Sequence, residues 1–325
     1  MSIPRVSVVM SVYNGERYLR QSVESVLGQS FGDFEFVIVN DGSKDNSRAI
    51  LAEYERQDPR VRMLDQENQG LTKALIRGCS EARGEFIARQ DADDWSHPER
   101  VSRCIGVLDA SPDIVMASSW VEYVDPVGDT VETIRRPAAA KEATHGLLFE
   151  RTGPPAHGSV IFRRSTYEAT GGYRACFYYA QDSDLWLRMA AIGQIAYVQA
   201  YLYRCLLAPE TISGVYGGVQ WEFGELGQRC HAARLRGESE DAILAQAELL
   251  RARVLRGEFR ASHSRRRRAS ANYRIGTSLS RRGNRRAKAY FWQAVRLYPF
   301  HWRSWCRLTY EILSRIPVRK AILSD

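Results

Sequence analysis

The chain has 325 residues, 44% of them hydrophobic, with a formal net charge of +8, which leaves room for one sizeable core and an appendage rather than a string of domains. Six cysteines, at 79, 104, 176, 205, 230 and 306, are dispersed without a Cys-x-x-Cys, so neither a zinc site nor a disulfide framework is indicated and a reducing compartment fits best. The apolar stretch at 6–12 is shorter than a secretory core, and the longest moderately apolar run, Met189 to Ala208, holds Gln194, Gln199 and Arg204, which argues against a spanning helix.

From residue 4, Pro-Arg-Val-Ser-Val-Val-Met-Ser-Val-Tyr13-Asn14-Gly15-Glu16 reads as a short strand breaking into a polar turn. Arg17 to Gln29 carries apolar residues at helical spacing: Tyr18, Leu19, Val23, Val26 and Leu27. A second strand, Phe34 to Val39, enters Asn40-Asp41-Gly42-Ser43 and then a helix with Ile50, Leu51 and Tyr54. A third round runs through Val61 to Leu64, the turn Gln66 to Gly70 and a helix from Leu71 to Ala82. Strands alternating with helices imply a parallel sheet, in which ligands collect beyond the carboxyl ends of the strands.

The fourth strand, Gly84 to Gln90, delivers Asp91-Ala92-Asp93-Asp94. Three carboxylates at a strand end want a cation. Asp91 and Asp93 are two apart, so on an extended chain they leave the same face and can share one hard divalent metal with a bound diphosphate. An Asp-rich turn is the plainer explanation of the same residues.

These pieces, in this order, resemble the family 2 inverting glycosyltransferases, nucleotide-sugar-dependent enzymes of GT-A type. The likeness rests on Val-Ser-Val-Val-Met-Ser-Val-Tyr-Asn, Val-Ile-Val-Asn-Asp-Gly-Ser-Lys-Asp, Asn68-Gln-Gly-Leu-Thr-Lys-Ala-Leu, Arg89-Gln-Asp-Ala-Asp-Asp and Ala180-Gln181-Asp182-Ser183-Asp184-Leu185-Trp186, and it covers roughly residues 4 to 213. It implies an α/β GT-A fold, Rossmann-like, with a mostly parallel sheet flanked by helices. It also implies Mg²⁺ or Mn²⁺ on Asp93 with Asp91 beside it, and Asp182 as the general base that takes the acceptor proton. Ser11 and Tyr13 would line the base and ribose pocket, Asp41 would accept from the base, and Asp91 would reach the ribose or the metal. Glu16 and Lys73 are weaker candidates, Lys73 as a phosphate neighbour. The expected partners are a nucleotide-sugar donor and a glycan or lipid-linked acceptor.

The chain departs from the family pattern at two places. Gln181 stands where a Glu is common, and Tyr203-Arg204 is followed by Cys205 to Pro209 with no His, so either Arg204 or a water serves the diphosphate or the diphosphate is held more loosely. Asp184 is the expected N-cap of a helix Leu185 to Ala191, leaving Asp182 free. His157 either contacts the acceptor or is satisfied by neighbouring backbone. Two rival activities fit less well. A sugar-phosphate nucleotidyltransferase would need a Gly-rich, Arg-containing loop near residue 10, where only Gly15 stands. A nucleotide-sugar-binding protein without turnover is the reading that Gln181 and the absent His would support.

Charge is uneven. Residues 251–325 carry 20 Lys or Arg against 3 acids, net +17, which leaves −9 for residues 1–250. Helices are expected over Glu225 to Gly237 and Glu240 to Arg256, and a tetratricopeptide-like pair over Tyr273 to Pro299. A boundary near Ser213 to Gly218 divides an enzyme domain, 1–218, from an all-helical C-terminal appendage, 219–325. Arginines interleaved with Tyr273, Tyr290, Phe291, Trp292, Trp302 and Trp305 suit an anionic membrane surface, and a solvated or docking face is the bland alternative. No nucleic-acid-binding motif is present. The expected location is cytoplasmic, peripheral at the inner face of the membrane.

Overall fold

The structure is a computed structural model and describes residues 3–209, 211–259 and 264–313. In chain order it contains β1 (Val6–Val12), α1 (Glu16–Leu27), β2 (Phe34–Asp41), α2 (Ser47–Gln57), β3 (Val61–Gln66), α3 (Leu71–Ser80), β4 (Phe86–Asp91) and β5 (Trp95–Ser96). There follow α4 (Arg100–Asp109), β6 (Ile114–Val124), β7 (Thr130–Ile134), α5 (Ala140–Phe149), a 3₁₀ turn at His157–Ser159, β8 (Ile161–Arg163), α6 (Arg164–Ala169), α7 (Gln181–Ala190) and β9 (Gln194–Leu206). Five helices complete the described chain: α8 (Ile212–Leu235), α9 (Asp241–Leu255), α10 (Ser264–Arg281), α11 (Ala287–Leu297) and α12 (Trp302–Leu313). Among the described residues no helix is long and apolar enough to cross a membrane.

The strands form one mixed sheet in the order β3-β2-β1-β4-β8-β6-β9-β5, with β7 paired to β6. β1, β2, β3 and β4 are parallel, whereas β8 runs antiparallel to both β4 and β6. Val6, Val8, Met10, Val12, Phe36 and Ile38 point to one face, against Leu19, Val23, Ile50 and Leu51. Val9, Val37 and Ile87 point to the other, against Leu75, Phe162 and Trp186. Burial on both faces explains why these strands read as continuous apolar runs.

By contacts the chain gathers into two compact units that interleave in sequence: Met1–Tyr123, Thr133–Leu206 and Gly218–Glu258 in the first, and Val124–Glu132, Leu207–Gly217 and Phe259–Asp325 in the second. A single cut near 218 therefore does not reproduce the grouping, because most of α8 and all of α9 belong with the sheet. In the first unit, Glu240 accepts from Arg174 at 2.6 Å and pairs with Arg234. In the second, the β6–β7 turn meets the C-terminal helices: Tyr290 donates to Asp125 at 2.9 Å, Arg286 pairs with Asp125 and Asp129, and Val131 packs with Ile275, Leu279 and Phe291. The helix pair expected over 273–299 is present as α10 and α11. A Cβ at Gly276 would stand 2.9 Å from the Phe291 ring, so the missing side chain is what lets the two helices approach.

Candidate active site

Parallel register assembles the site. Ser11 lies opposite Asp91, Val12 opposite Asn40, and Asp41 opposite Gln66, so the carboxyl ends of four strands present Gln66, Asp41, Ser11 and Asp91 along one edge. Asp91 ends β4 with its side chain 29% exposed. Asp93 lies in the turn that follows rather than on extended chain, so the two carboxylates are brought together by that turn and not by strand alternation. The Asp93 carboxyl is pushed up to about 6, first by partial loss of solvent and then by the charge of Asp91, which places the two within mutual influence. Asp94 turns inward. It is buried and accepts the Leu206 amide at 2.8 Å, so it fastens the turn to β9 and is unavailable to a cation.

Beneath the cluster lie two arginines with no exposed surface, Arg89 and Arg100. Arg89 donates to Asp91 Oδ1 at 3.0 Å, to His157 Nε2 at 3.2 Å and to the Val9 carbonyl. Arg100 donates to the carbonyls of Arg89 and Gly158 and stacks on Tyr203 at 5.2 Å. The Tyr203 hydroxyl accepts the Asp91 amide at 3.2 Å. Gly158 lies so close that an added Cβ would stand 1.9 Å from that hydroxyl. The sequence assigns no role to Arg89, Arg100 or Tyr203, although an arginine inside the apolar strand Phe86 to Gln90 is a visible signal.

His157 is held by side chains and not by backbone. Arg89 can only donate, so Nε2 is unprotonated, the proton sits on Nδ1, and Nδ1 faces Asp91 Oδ1 at 3.6 Å. Tyr173 reaches the same Nε2 at 2.8 Å, and Trp186 packs against the ring. Burial, and after it Arg89, lowers the imidazole's affinity for a second proton, while Asp91 and Asp182 pull the other way.

Asp182 lies in the first turn of α7, where the helix dipole favours an anion, and its Oδ1 accepts the Ser183 amide at 2.8 Å. The helix starts four residues earlier than expected because Ala180 adopts a left-handed conformation (φ 52°) and serves as N-cap without a side-chain bond. Asp184 is therefore not a cap. It is fully buried and pairs with Arg188 at 2.7 Å and Arg174 at 3.5 Å. Thr72 donates to the Phe177 carbonyl at 2.7 Å, tying the start of α3 to the segment that leads into α7.

The remaining candidates divide. Tyr13 is half exposed. Asp41 is buried and already accepts from Gln66 Nε2 (2.6 Å), Gln69 N (2.9 Å) and Gly70 N (2.9 Å), so its carboxylate organises the turn before α3 and has little capacity left for a base. Glu16 is spent on the Asn46 amide at 2.9 Å. Lys73 is partly exposed on α3, and among the described residues it makes no ion pair. Arg204 lies over Trp95 at 5.1 Å and donates to Glu122 at 2.7 Å, so that contact holds it.

Among the described residues no group of three or more His, Cys, Asp and Glu could hold a metal alone. Asp91 and Asp93 supply two carboxylates, which is the donor set of a Mg²⁺- or Mn²⁺-type site completed by substrate phosphate and water. The residues fit such an ion.

A model of glycosyl transferase family 2 matches residues 7–171, which include the four strand ends, the acidic cluster and His157. The chain belongs to that family. This family 2 glycosyltransferase is 36% identical over 172 residues to EpsH of Bacillus subtilis, itself a provisionally assigned glycosyltransferase; the match covers 52% of this chain and 50% of EpsH. It is 26% identical over 212 residues to the chondroitin synthase of Escherichia coli, covering 65% of this chain and 30% of that one. The chain thus spans about half the length of EpsH or less of its longer relative. In fold it is similar to the mannosyltransferase PcManGT of Pyrobaculum calidifontis, solved with GDP-Man and Mn²⁺: TM-score 0.54, 16% identity, 97% of this chain and 86% of that one. The mixed, mostly parallel sheet with flanking helices is the GT-A architecture.

Proposed function

We propose that this glycosyltransferase is metal-dependent and inverting, moving a sugar from a nucleoside diphosphate donor to a hydroxyl of a growing glycan or lipid-linked oligosaccharide. The observation that carries the reading is the acidic strand end itself: Asp91, at the carboxyl end of β4 and opposite Ser11 of β1, is held at 3.0 Å by the buried Arg89 and faces His157 Nδ1 at 3.6 Å. Support for a nucleotide-sugar donor and a divalent ion comes from the ligands of PcManGT, and support for a glycan acceptor from the likeness to a chondroitin synthase.

Asp91 and Asp93 would hold the ion, which when bound supplies charge compensation for the leaving diphosphate. Arg89 and Arg100, fixed below, orient Asp91 through its side chain and through the carbonyls around it. Ser11 and Tyr13, at the mouth of β1, would take the base and ribose, with Lys73 toward the phosphates. Asp41 would act through the Gln66–Gly70 turn. Asp182 would accept the acceptor proton as the hydroxyl oxygen bonds to the anomeric carbon and the bond to the diphosphate oxygen breaks; one displacement inverts the centre. Gln181 is buried and carries no charge, which leaves Asp182 as the carboxylate of that pair.

The test is transfer from a panel of nucleotide sugars to glycan acceptors, with the anomeric configuration of the product read by NMR. An inverted product formed only with added divalent ion is expected. A retained anomeric configuration, or full turnover in excess chelator, would overturn the reading.

A further inference from the structure

The second unit carries a helix whose outer face is more aromatic than its inner one. α12 buries Ser304, Leu308 and Glu311, three residues at helical spacing, and Ser280 donates to Glu311. Its outward side chains include Trp302, 67% exposed, and Tyr310, 60% exposed, with Trp305 partly open between them. Phe300, in the turn ahead, is 80% exposed. α11 behaves similarly: it buries Ala287, Tyr290, Phe291, Ala294 and Val295, and turns Trp292 and Arg296 outward. The Trp292 and Trp305 rings meet edge to face at 6.5 Å, so an aromatic contact joins the outer sides of the two helices. Solvent is a poor partner for so much adjoining aromatic area.

Charge surrounds it. Residues 264–313 hold 13 Lys or Arg and one acid, Glu311, which is buried. Among the described residues Arg281, Arg282, Arg285, Arg296, Arg303 and Arg307 have no carboxylate within ion-pair distance, whereas Arg286 is neutralised by Asp125 and Asp129. Arg303 stacks over Trp302 at 5.5 Å, which places guanidinium and indole together at the edge of the face.

We propose that this α11–α12 face docks on an anionic lipid bilayer, with Phe300, Trp302 and Tyr310 entering the headgroup layer and Arg296 and Arg303 meeting lipid phosphates. The indole of Trp302 and the phenol of Tyr310, each with one polar edge, and arginines that pair with phosphate oxygens are the combination that an anionic interface selects, and Phe300 adds an apolar ring. A single-stranded nucleic acid would need open ring faces for stacking. Trp292 and Trp305 instead face each other edge-on, and the Trp305 Nε1 is already bonded to the Pro299 carbonyl at 2.8 Å. The inference does not rest on the transfer chemistry of the first unit.

The test is flotation of the full chain with vesicles of phosphatidylcholine alone and of phosphatidylcholine mixed with phosphatidylglycerol. Binding to the mixed vesicles only is expected, weakening as salt shortens the Debye length from about 10 Å at 0.1 M to about 3 Å at 1 M. Arg303→Gln should weaken partition about fivefold, and the pair Trp302→Ser with Tyr310→Ser about tenfold or more. Lys141→Gln, which removes one charge from the first unit, should change nothing. All these side chains are exposed, so circular dichroism should show the variants folded. Absence of partition into mixed vesicles at low salt, or equal loss with Lys141→Gln and Arg303→Gln, would overturn the proposal. Tighter binding of an oligonucleotide through the same side chains would assign the face to nucleic acid instead, and vesicle-free self-association abolished by the aromatic variants would assign it to a second copy.

Discussion

Asp184 and Arg188 form an ion pair one helical turn apart inside α7, Oδ2 to Nη2 2.7 Å, with the carboxylate fully buried and the guanidinium nearly so. Asp182, two residues earlier, accepts the amide of Ser183 and, among the described residues, makes no ion pair with an arginine. The same short acidic sequence thus contains one carboxylate spent on an internal ion pair and one that is not, and substitutions should separate their roles. Asp182→Asn is expected to lower turnover by roughly 10² to 10⁴ with donor affinity unchanged. Asp184→Ala should instead leave Arg188 buried without its partner and cost about 3–5 kcal/mol of stability. Steady-state kinetics and thermal melts of both variants decide the assignment; a fully stable, inactive Asp184→Ala would reverse it.

The acidic turn should make metal dependence sensitive to pH. Because the Asp93 carboxyl is pushed up to about 6, protons would compete with an ion held there as pH falls through that value. The metal concentration for half-maximal transfer is expected to rise about tenfold per pH unit below 6 and to level off above it. Asp93→Asn should lose nearly all transfer and with it this pH dependence. A half-maximal metal concentration constant from pH 7 to pH 5 would show that Asp93 is not a ligand.

Gly158 is expected to be intolerant for a reason of space. Its Cβ position lies 1.9 Å from the Tyr203 hydroxyl and 3.0 Å from the Asp91 amide, so Gly158→Ala must displace the group that positions Asp91. A loss of about 1–3 kcal/mol is expected, with a larger loss of activity than that destabilisation explains at a temperature where the variant is folded. An active, stable Gly158→Ala enzyme would mean that the 157–159 turn is not coupled to Asp91.

His231 should make the first unit acid-sensitive. Its Nε2 lies 3.0 Å from the Leu148 carbonyl, while among the described residues the buried Nδ1 has no hydrogen-bond partner, so a second proton would add a charge with nothing to receive it. Burial lowers its pKa below the ordinary value, the Leu148 contact opposing and Arg234 adding to the effect. Folded chain therefore binds fewer protons than unfolded chain: the stabilisation is complete above about pH 6.5, the unfolded value, and falls away as pH drops toward the lowered folded one. Denaturant midpoints at pH 7 and pH 5 should differ less in His231→Gln than in the wild type; an unchanged difference would exclude His231 as a source.

The first four strands and their turns were legible because each strand is buried on both faces and each ends in polar residues, so local pattern and tertiary role coincide. α11 was legible through Tyr290, Phe291 and Ala294 at helical spacing, whereas α10 starts at Ser264, nine residues ahead of the expected Tyr273. Asp184 was misread because the start of α7 depends on a left-handed alanine, a conformation that nothing in Ala180 itself announces. The placement of α8 and α9 with the sheet was not legible either, since it depends on Glu240 meeting Arg174 across 66 residues. The β6–β7 turn passed unread although Asp125-Pro126-Val127-Gly128-Asp129 is a turn sequence between apolar strands.

That turn has a consequence for how the protein is made. Asp125 is buried against Tyr290 and Arg286, and Asp129 pairs with Arg286 from 157 positions earlier in the chain. At roughly 5–20 residues per second, the ribosome exposes the turn for about ten to thirty seconds before its helical partners emerge. During that interval the acidic loop must remain hydrated while the polypeptide that will complete the sheet is still being added. The second unit can close only late in synthesis, once the last of its three segments has been made, so a chain stalled before α11 leaves the nascent loop without its arginine and its tyrosine, and open to whatever basic surface the cell offers.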